Sequence, residues 1–181
     1  MLDFNHRQKP GEKITGATDA ALEAENKLQP PRAYLGGSRL GVSCHPALQH
    51  DYMKEPKDEG REFNGKTLRI FQIGHALEGM AAKWLQDAGF DLYTAKPNGQ
   101  QFGFSVADGR IKGHVDGVIV SGPVLEHFPA LWECKTMNAK NWRAWVKHGV
   151  AKSKPGYAEQ MATYQAYMEA DIEGMSKAAA L

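Results

Sequence analysis

The chain has 181 residues, of which 42% are apolar and 24% are charged, and this composition is that of a globular protein with one domain and a substantial core. The formal net charge of +1 gives no global argument for a nucleic-acid partner, so any such argument has to be local. Two cysteines exclude a four-cysteine zinc or iron–sulfur site within the chain and favour a reducing, cytoplasmic setting. The sequence has no run of about 18 or more apolar residues, so no membrane span is predicted. No apolar segment follows the basic N-terminal residues as a secretory signal would require.

The first third of the chain predicts two helices separated by breaks. Residues 1–35 are polar and read as an N-terminal extension, with one helix over 18–28 that ends at the two prolines following it. Two glycines and a capping serine then open a second helix over 38–52. Residues 54–66 are charged and contain glycine, which indicates a loop.

The remainder predicts a helix, a series of strands and two more helices. Apolar residues recur at helical period over 68–88, and Gly89 ends that helix. Strands are expected at 90–95, 101–107, 110–120 and 130–136, and helices at 139–147 and 156–170. This order predicts an α/β or α+β core with a central mixed, mainly antiparallel sheet flanked by helices.

Acidic and basic residues interrupt two of the apolar strands. Glu133 and Lys135 are two apart, so a strand would point both side chains to one face, and Asp116 lies on the preceding predicted strand. Two carboxylates that hold a divalent metal, with an ammonium beside them, are the set that a magnesium-dependent phosphodiesterase needs. The pattern therefore indicates metal-dependent hydrolysis of nucleic acid.

Four motifs occur in a fixed order along the chain. They are Gly74-x-x-x-Glu78, Gly113-x-x-Asp116, Glu133-x-Lys135 and Gln160-x-x-x-Tyr164. This order resembles the PD-(D/E)XK nuclease superfamily, and specifically its RecB-like branch, which includes phage recombination exonucleases. The resemblance covers about residues 36–170. It implies a restriction-endonuclease-like core in a nuclease domain of residues 36–181, which is expected to be truncated at its C-terminus.

The resemblance also implies a role for each motif residue. Asp116 and Glu133 would be carboxylate ligands of one or two Mg²⁺ or Mn²⁺ ions, and the backbone carbonyl of Cys134 would be a third ligand. Glu78 would support the same metal or a second one. Lys135 would orient the attacking water. An iron–sulfur cluster, which some RecB-like nucleases carry, is not expected because the late trio of cysteines is missing.

A stretch directly after the catalytic lysine carries positive charge. Residues 136–157 contain no aspartate or glutamate, but they contain five lysine or arginine residues, with Trp142 and Trp145 between them. Cations contact phosphates and aromatic faces stack on unpaired bases, so the stretch predicts DNA contact. The expected DNA-binding residues are Lys140, Arg143, Lys147, Tyr157, Gln160 and Tyr164. The alternative is a solvated helix with both tryptophans in the core.

The function implied is a metal-dependent DNA exonuclease of phage or prophage recombination or DNA repair, acting on single- or double-stranded ends in the bacterial cytoplasm. A phage single-strand annealing protein is the protein partner implied, and oligomer formation is compatible with it. The alternatives are a structure-specific or restriction-type endonuclease on the same fold, and a relative that binds DNA without cutting it. Taken singly, each motif residue also has a plainer interpretation, as a turn acid, a surface ion pair or part of a helix stripe.

Overall fold

A computed structural model describes residues 9–56 and 58–175, and it divides the chain into two compact units. The first consists of Met1–Pro31 with Pro56–Ala76, and the second of Arg32–Glu55 with Leu77–Leu181. The expected extension, residues 1–35, falls mostly in the first unit, and the boundary at residue 36 stays a prediction. Residues 176–181, the end of the expected nuclease domain, lie outside the described residues, and its expected C-terminal truncation stays a prediction.

The first unit is built from helix α1 (Pro10–Leu28) and the beginning of helix α3 (Gly65–Asp87). Helix α1 starts earlier than predicted because Pro10 occupies its first turn and the Glu12 carboxylate accepts a hydrogen bond from the Lys9 N–H. The two helices are joined by Arg69, whose Nε donates to Asp19 at 2.7 Å. Asn64 caps α3 by accepting from the Thr67 N–H at 2.9 Å, so the predicted loop ends two residues early.

The second unit contains all the strands found within residues 9–56 and 58–175. They are β1 (Leu35–Gly36), β2 (Asp91–Tyr93), β3 (Gly103–Val106), β4 (Ile111–His114), β5 (Gly117–Ser121) and β6 (Ala130–Trp132). They form two three-stranded sheets. In the order β1-β4-β3, β1 is parallel to β4, and β4 is antiparallel to β3. The order β2-β5-β6 is wholly antiparallel.

The prediction of helices around small antiparallel and mixed sheets is confirmed, but that of one central sheet is wrong. The segment 110–120 was expected to be one strand, whereas it breaks at Val115 and Asp116 into β4 and β5, which belong to different sheets. The chain changes sheet at that point. Asp116 therefore lies in the connection between the two sheets and not within a strand.

The helices of the second unit follow the predicted order. They are α2 (His45–Met53), the C-terminal part of α3, α4 (Ala139–His148), α5 (Val150–Ser153) and α6 (Pro155–Met168). The expected helix over 38–52 is wrong in its first half, where a 3₁₀ turn over Gly37–Arg39 precedes α2. Over the described ranges, no helix has the length and apolar character needed to cross a membrane.

Helix α6 closes one of two cores in this unit. Its Tyr164 and Met168 are buried with Phe104, Val118 and Leu131 from the strands. The second core contains Ala82 of α3 with Leu92, Ile119, Ala130 and Trp132. Since Leu131 belongs to the first core and Trp132 to the second, the end of β6 is fixed on both faces. Packing therefore fixes the backbone at the end of β6, where the residues from Glu133 onward begin.

Candidate active site

Glu133 and Lys135 lie together just after β6. The strand ends at Trp132, so the expected strand to residue 136 is wrong over its last part. The two side chains nevertheless meet, because the Lys135 ammonium forms an ion pair with Oε1 of Glu133. The Glu133 side chain is only 6% exposed and that of Lys135 is 23% exposed. This pair is therefore largely withdrawn from water, unlike a solvated surface pair.

Helix α6 supplies a second donor to the same carboxylate. The Gln160 amide donates to Oε1 of Glu133 at 2.7 Å and to the Tyr164 hydroxyl at 3.0 Å. Both Gln160 and Tyr164 are 3% exposed. The expectation that these two residues bind DNA does not fit this burial, since almost none of either side chain reaches the surface. Their position makes them supports of Glu133.

Asp116 is brought to the same place by sheet pairing. The register of β5 and β6 pairs Gly117 with Trp132, so the residues just outside that pair, Asp116 and Glu133, are neighbours. The Cys134 N–H donates to Oδ2 of Asp116 at 2.7 Å, which ties the two connections together. The carboxylates of Asp116 and Glu133 thus both lie close to the backbone at Cys134.

The second oxygen of Glu133 is the most unusual atom of the site. Oε2 is buried, and no hydrogen-bond donor for it occurs among residues 9–56 and 58–175. Burial raises the pKa of Glu133, the Lys135 ammonium lowers it, and the Asp116 carboxylate raises it. Leaving a buried charged group half satisfied is costly, so such an oxygen is suited to a cation. The donor set fits a hard divalent ion that takes oxygen ligands.

Other ionisable groups nearby are neutral at physiological pH. Burial raises the pKa of Tyr164 to about 12, with Glu133 as the second cause. Burial likewise raises the pKa of the Cys134 thiol, and the charges of Asp116 and Glu78 raise it further. The thiol and the phenol therefore contribute no negative charge to the site.

Glu78 is half-buried on α3. Its charge raises the pKa of the Cys134 thiol, after burial and Asp116. In the described part of the chain, however, no three His, Cys, Asp or Glu side chains gather into a group that could hold a metal ion. The roles of Asp116, Glu133 and Glu78 as metal ligands stay predictions.

The remaining expected DNA-binding residues lie on α4 and at the start of α6. Lys140, Arg143 and Lys147 are all exposed on α4, whose N-terminus is capped by the Asn138 side chain. Tyr157 is half-buried, with the Lys135 Nζ 5.4 Å from the centre of its ring. The basic helix thus begins four residues after Lys135 and remains linked to it through an aromatic ring.

Sequence reasoning missed the two glycines against which Tyr164 packs. A Cβ atom placed on Gly37 or on Gly113 would lie 2.6 Å from Cε1 of Tyr164, well inside van der Waals contact. Both positions therefore require glycine for close approach of the ring. Gly113 stands in the second motif, but its purpose becomes apparent only when Tyr164, 51 residues later, is brought to it.

The chain matches no family of known proteins, no curated protein and no solved structure.

Proposed function

We propose that this chain is a metal-dependent DNA nuclease, and that it acts as an exonuclease. The observation that carries the proposal is Glu133, a buried carboxylate with one oxygen held by Lys135 and Gln160 and the other without a donor in the described chain. Asp116 lies beside it, and a basic helix follows directly. Carboxylates, an ammonium and nearby cations suit a phosphodiester substrate better than a neutral one.

Asp116 and Glu133, with the backbone carbonyl of Cys134, would hold Mg²⁺ or Mn²⁺, and Glu78 would add negative charge nearby. When bound, such an ion polarises a phosphoryl oxygen and lowers the pKa of a water ligand. The protein's own part is to hold both carboxylates in place. Gln160 does this by donating to Glu133 from a buried position, and Cys134 by donating its N–H to Asp116.

Lys135 is the group of this site that can act on the reacting phosphate. Its side chain is 23% exposed, so the ammonium can reach a bound substrate while paired to Glu133. An ammonium at this place orients an attacking water and offsets the negative charge that develops on the phosphate oxygens. This is the role proposed for Lys135, and the phage or prophage recombination setting is proposed from the motif resemblance alone.

The test is digestion of linear DNA labelled at either end, with a closed circle of the same sequence as a control. An exonuclease releases short labelled products from the linear DNA in Mg²⁺, leaves the circle intact and is inactive in EDTA. The Asp116→Asn and Glu133→Gln variants should both be inactive, because each loses a ligand charge with little change of shape.

Two other results would decide against the proposal. Nicking or linearisation of the circle would identify an endonuclease on the same fold. Binding of DNA with no cleavage in Mg²⁺ or Mn²⁺ would identify a DNA-binding protein without catalytic activity.

A further inference from the structure

Helix α4 and the start of α6 carry a row of aromatic rings that begins at Lys135. The Lys135 Nζ is 5.4 Å from the centre of the Tyr157 ring, the Tyr157 and Trp145 centres are 6.5 Å apart, and those of Trp145 and Trp142 are 6.4 Å apart. The inner rings are half-buried, whereas Trp142 is 57% exposed. The row therefore runs from the proposed reaction centre to the protein surface.

The helix that carries the outer end of the row also carries cations. Lys140, Arg143 and Lys147 are spaced three and four apart, so one side of α4 is basic, and Trp142 and Val146 lie on another side. Val146 is 68% exposed, so the apolar side of α4 is open at this end. Residues 136–157 contain no acidic residue, and none of the three cations forms an ion pair with a described residue. Charge complementarity thus favours a polyanion as the occupant.

An exposed tryptophan on a basic helix distinguishes two forms of DNA. Cations contact the phosphates of a duplex and of a single strand alike. Aromatic faces, in contrast, stack on bases only where those bases are unpaired, because in a duplex each base face is already covered by its neighbours. A duplex would leave Trp142 and Val146 unused, whereas a single strand would cover them.

We propose that helix α4, through Trp142, Trp145 and its cations, binds single-stranded DNA together with Tyr157, and that the strand leads its unpaired end to Lys135. This inference rests on the proposed nuclease function for the fate of the strand, but strand binding itself needs no cleavage. The bases stack along the row, and the phosphates lie toward Lys140, Arg143 and Lys147. The substrate class is therefore an unpaired end and not a blunt duplex.

Binding measured in EDTA tests the proposal on the intact chain. Labelled single-stranded DNA, a strand of the same length with abasic sites and a blunt duplex are titrated into the wild type and into Trp142→Ala. Loss of one stacked base weakens single-strand binding by roughly five- to a hundredfold. Binding of the duplex and of the abasic strand should stay unchanged, because neither offers a base to stack. Trp84→Ala is the matched control, since Trp84 is 61% exposed on α3 and lies outside the row.

Any of three binding results would overturn the proposal, and so would one sedimentation result. The binding results are equal loss of duplex and single-strand binding in Trp142→Ala, unchanged binding of both, or an equal effect of Trp84→Ala. A change in the sedimentation of Trp142→Ala with unchanged DNA binding would also overturn it, by assigning the exposed face to self-association. Failure of the nuclease proposal is recognised separately, as a wild type that binds single strands through Trp142 but does not cleave them in Mg²⁺.

Discussion

At the scale of single residues, the two oxygens of Glu133 have different surroundings. Oε1 accepts from Lys135 and Gln160, and Oε2 is buried without a donor among the described residues. A side chain that served only stability would gain from satisfying both oxygens, or from replacement by an apolar residue. The asymmetry instead suits a carboxylate held by one oxygen so that the other can bind a cation.

Lys135→Ala should reduce cleavage by about a hundredfold or more, because the ammonium acts on charge that develops in the transition state. The KM for DNA should change little, since ground-state contacts are made mainly elsewhere. Steady-state rates on end-labelled DNA measure both quantities. Lys96→Ala is the control, because Lys96 is also paired to a carboxylate, Asp171 at 3.3 Å, outside the site. More than about a tenth of wild-type turnover in Lys135→Ala would remove Lys135 from the reaction.

At the scale of elements, Gln160 of α6 donates a hydrogen bond to the carboxylate of Glu133, the residue that follows β6. Gln160→Leu should lower the free energy of unfolding by roughly 1–3 kcal/mol, since it removes a hydrogen bond to a buried charged group. It should also weaken Mn²⁺ binding, because Glu133 loses the donor that fixes its orientation. Urea unfolding without metal gives the first quantity and calorimetric titration with Mn²⁺ the second.

Tyr164→Phe is the matched change for Gln160→Leu. It removes the hydroxyl that accepts from Gln160 and leaves the bond from Gln160 to Glu133 in place. Its effect on Mn²⁺ affinity should therefore be the smaller of the two. If both variants bind Mn²⁺ as the wild type does, Gln160 supports the fold and does not position the ligand.

Helix α4 is expected to contribute phosphate contacts. Replacing Lys140, Arg143 and Lys147 together by alanine should weaken DNA binding and reduce the slope of log K against log salt by about 2–3 units, since each lost phosphate contact removes about 0.7–0.9. A control triple of Lys13, Lys27 and Lys66, all exposed, removes the same charge from the first unit. If both triples give the same slope, net charge and not α4 explains the binding.

The elements differ in how far the sequence determines them. Helix α3 and the order of strands and helices were predictable because their apolar periods are local. The break between β4 and β5 was not, because the hydrogen bond that Asp116 accepts there comes from Cys134, 18 residues later. That Glu133 and Lys135 lie together was predictable from their spacing, whereas the burial of Gln160 and Tyr164 arises only from tertiary packing.

At the scale of the whole molecule, metal binding should stabilise only the second compact unit, which contains Asp116 and Glu133. At a Mn²⁺ concentration of 100 times Kd, linkage contributes about 2.7 kcal/mol, and this raises Tm by about 5–10 °C for a chain of this size. Tryptophan fluorescence follows this unit selectively, because all four tryptophans lie within residues 77–181. Thermal unfolding of wild type and Glu133→Gln, with Mn²⁺ and with EDTA, gives the shift. An equal shift in the variant would mean that Mn²⁺ binds elsewhere.

The glycines beside Tyr164 give the molecule an unusual distribution of mutational sensitivity. Any side chain at position 113 would collide with the rings of Phe104 and Tyr164, and one at position 37 with Tyr164. Displacing that ring moves the hydroxyl to which Gln160 is bonded, and with it the donor to Glu133. In a library of random variants scored for activity, positions 37 and 113 should therefore be as intolerant as the carboxylates. The position of the donor to Glu133 would in this way depend on two residues, Gly37 and Gly113, that have no side chain beyond a hydrogen atom.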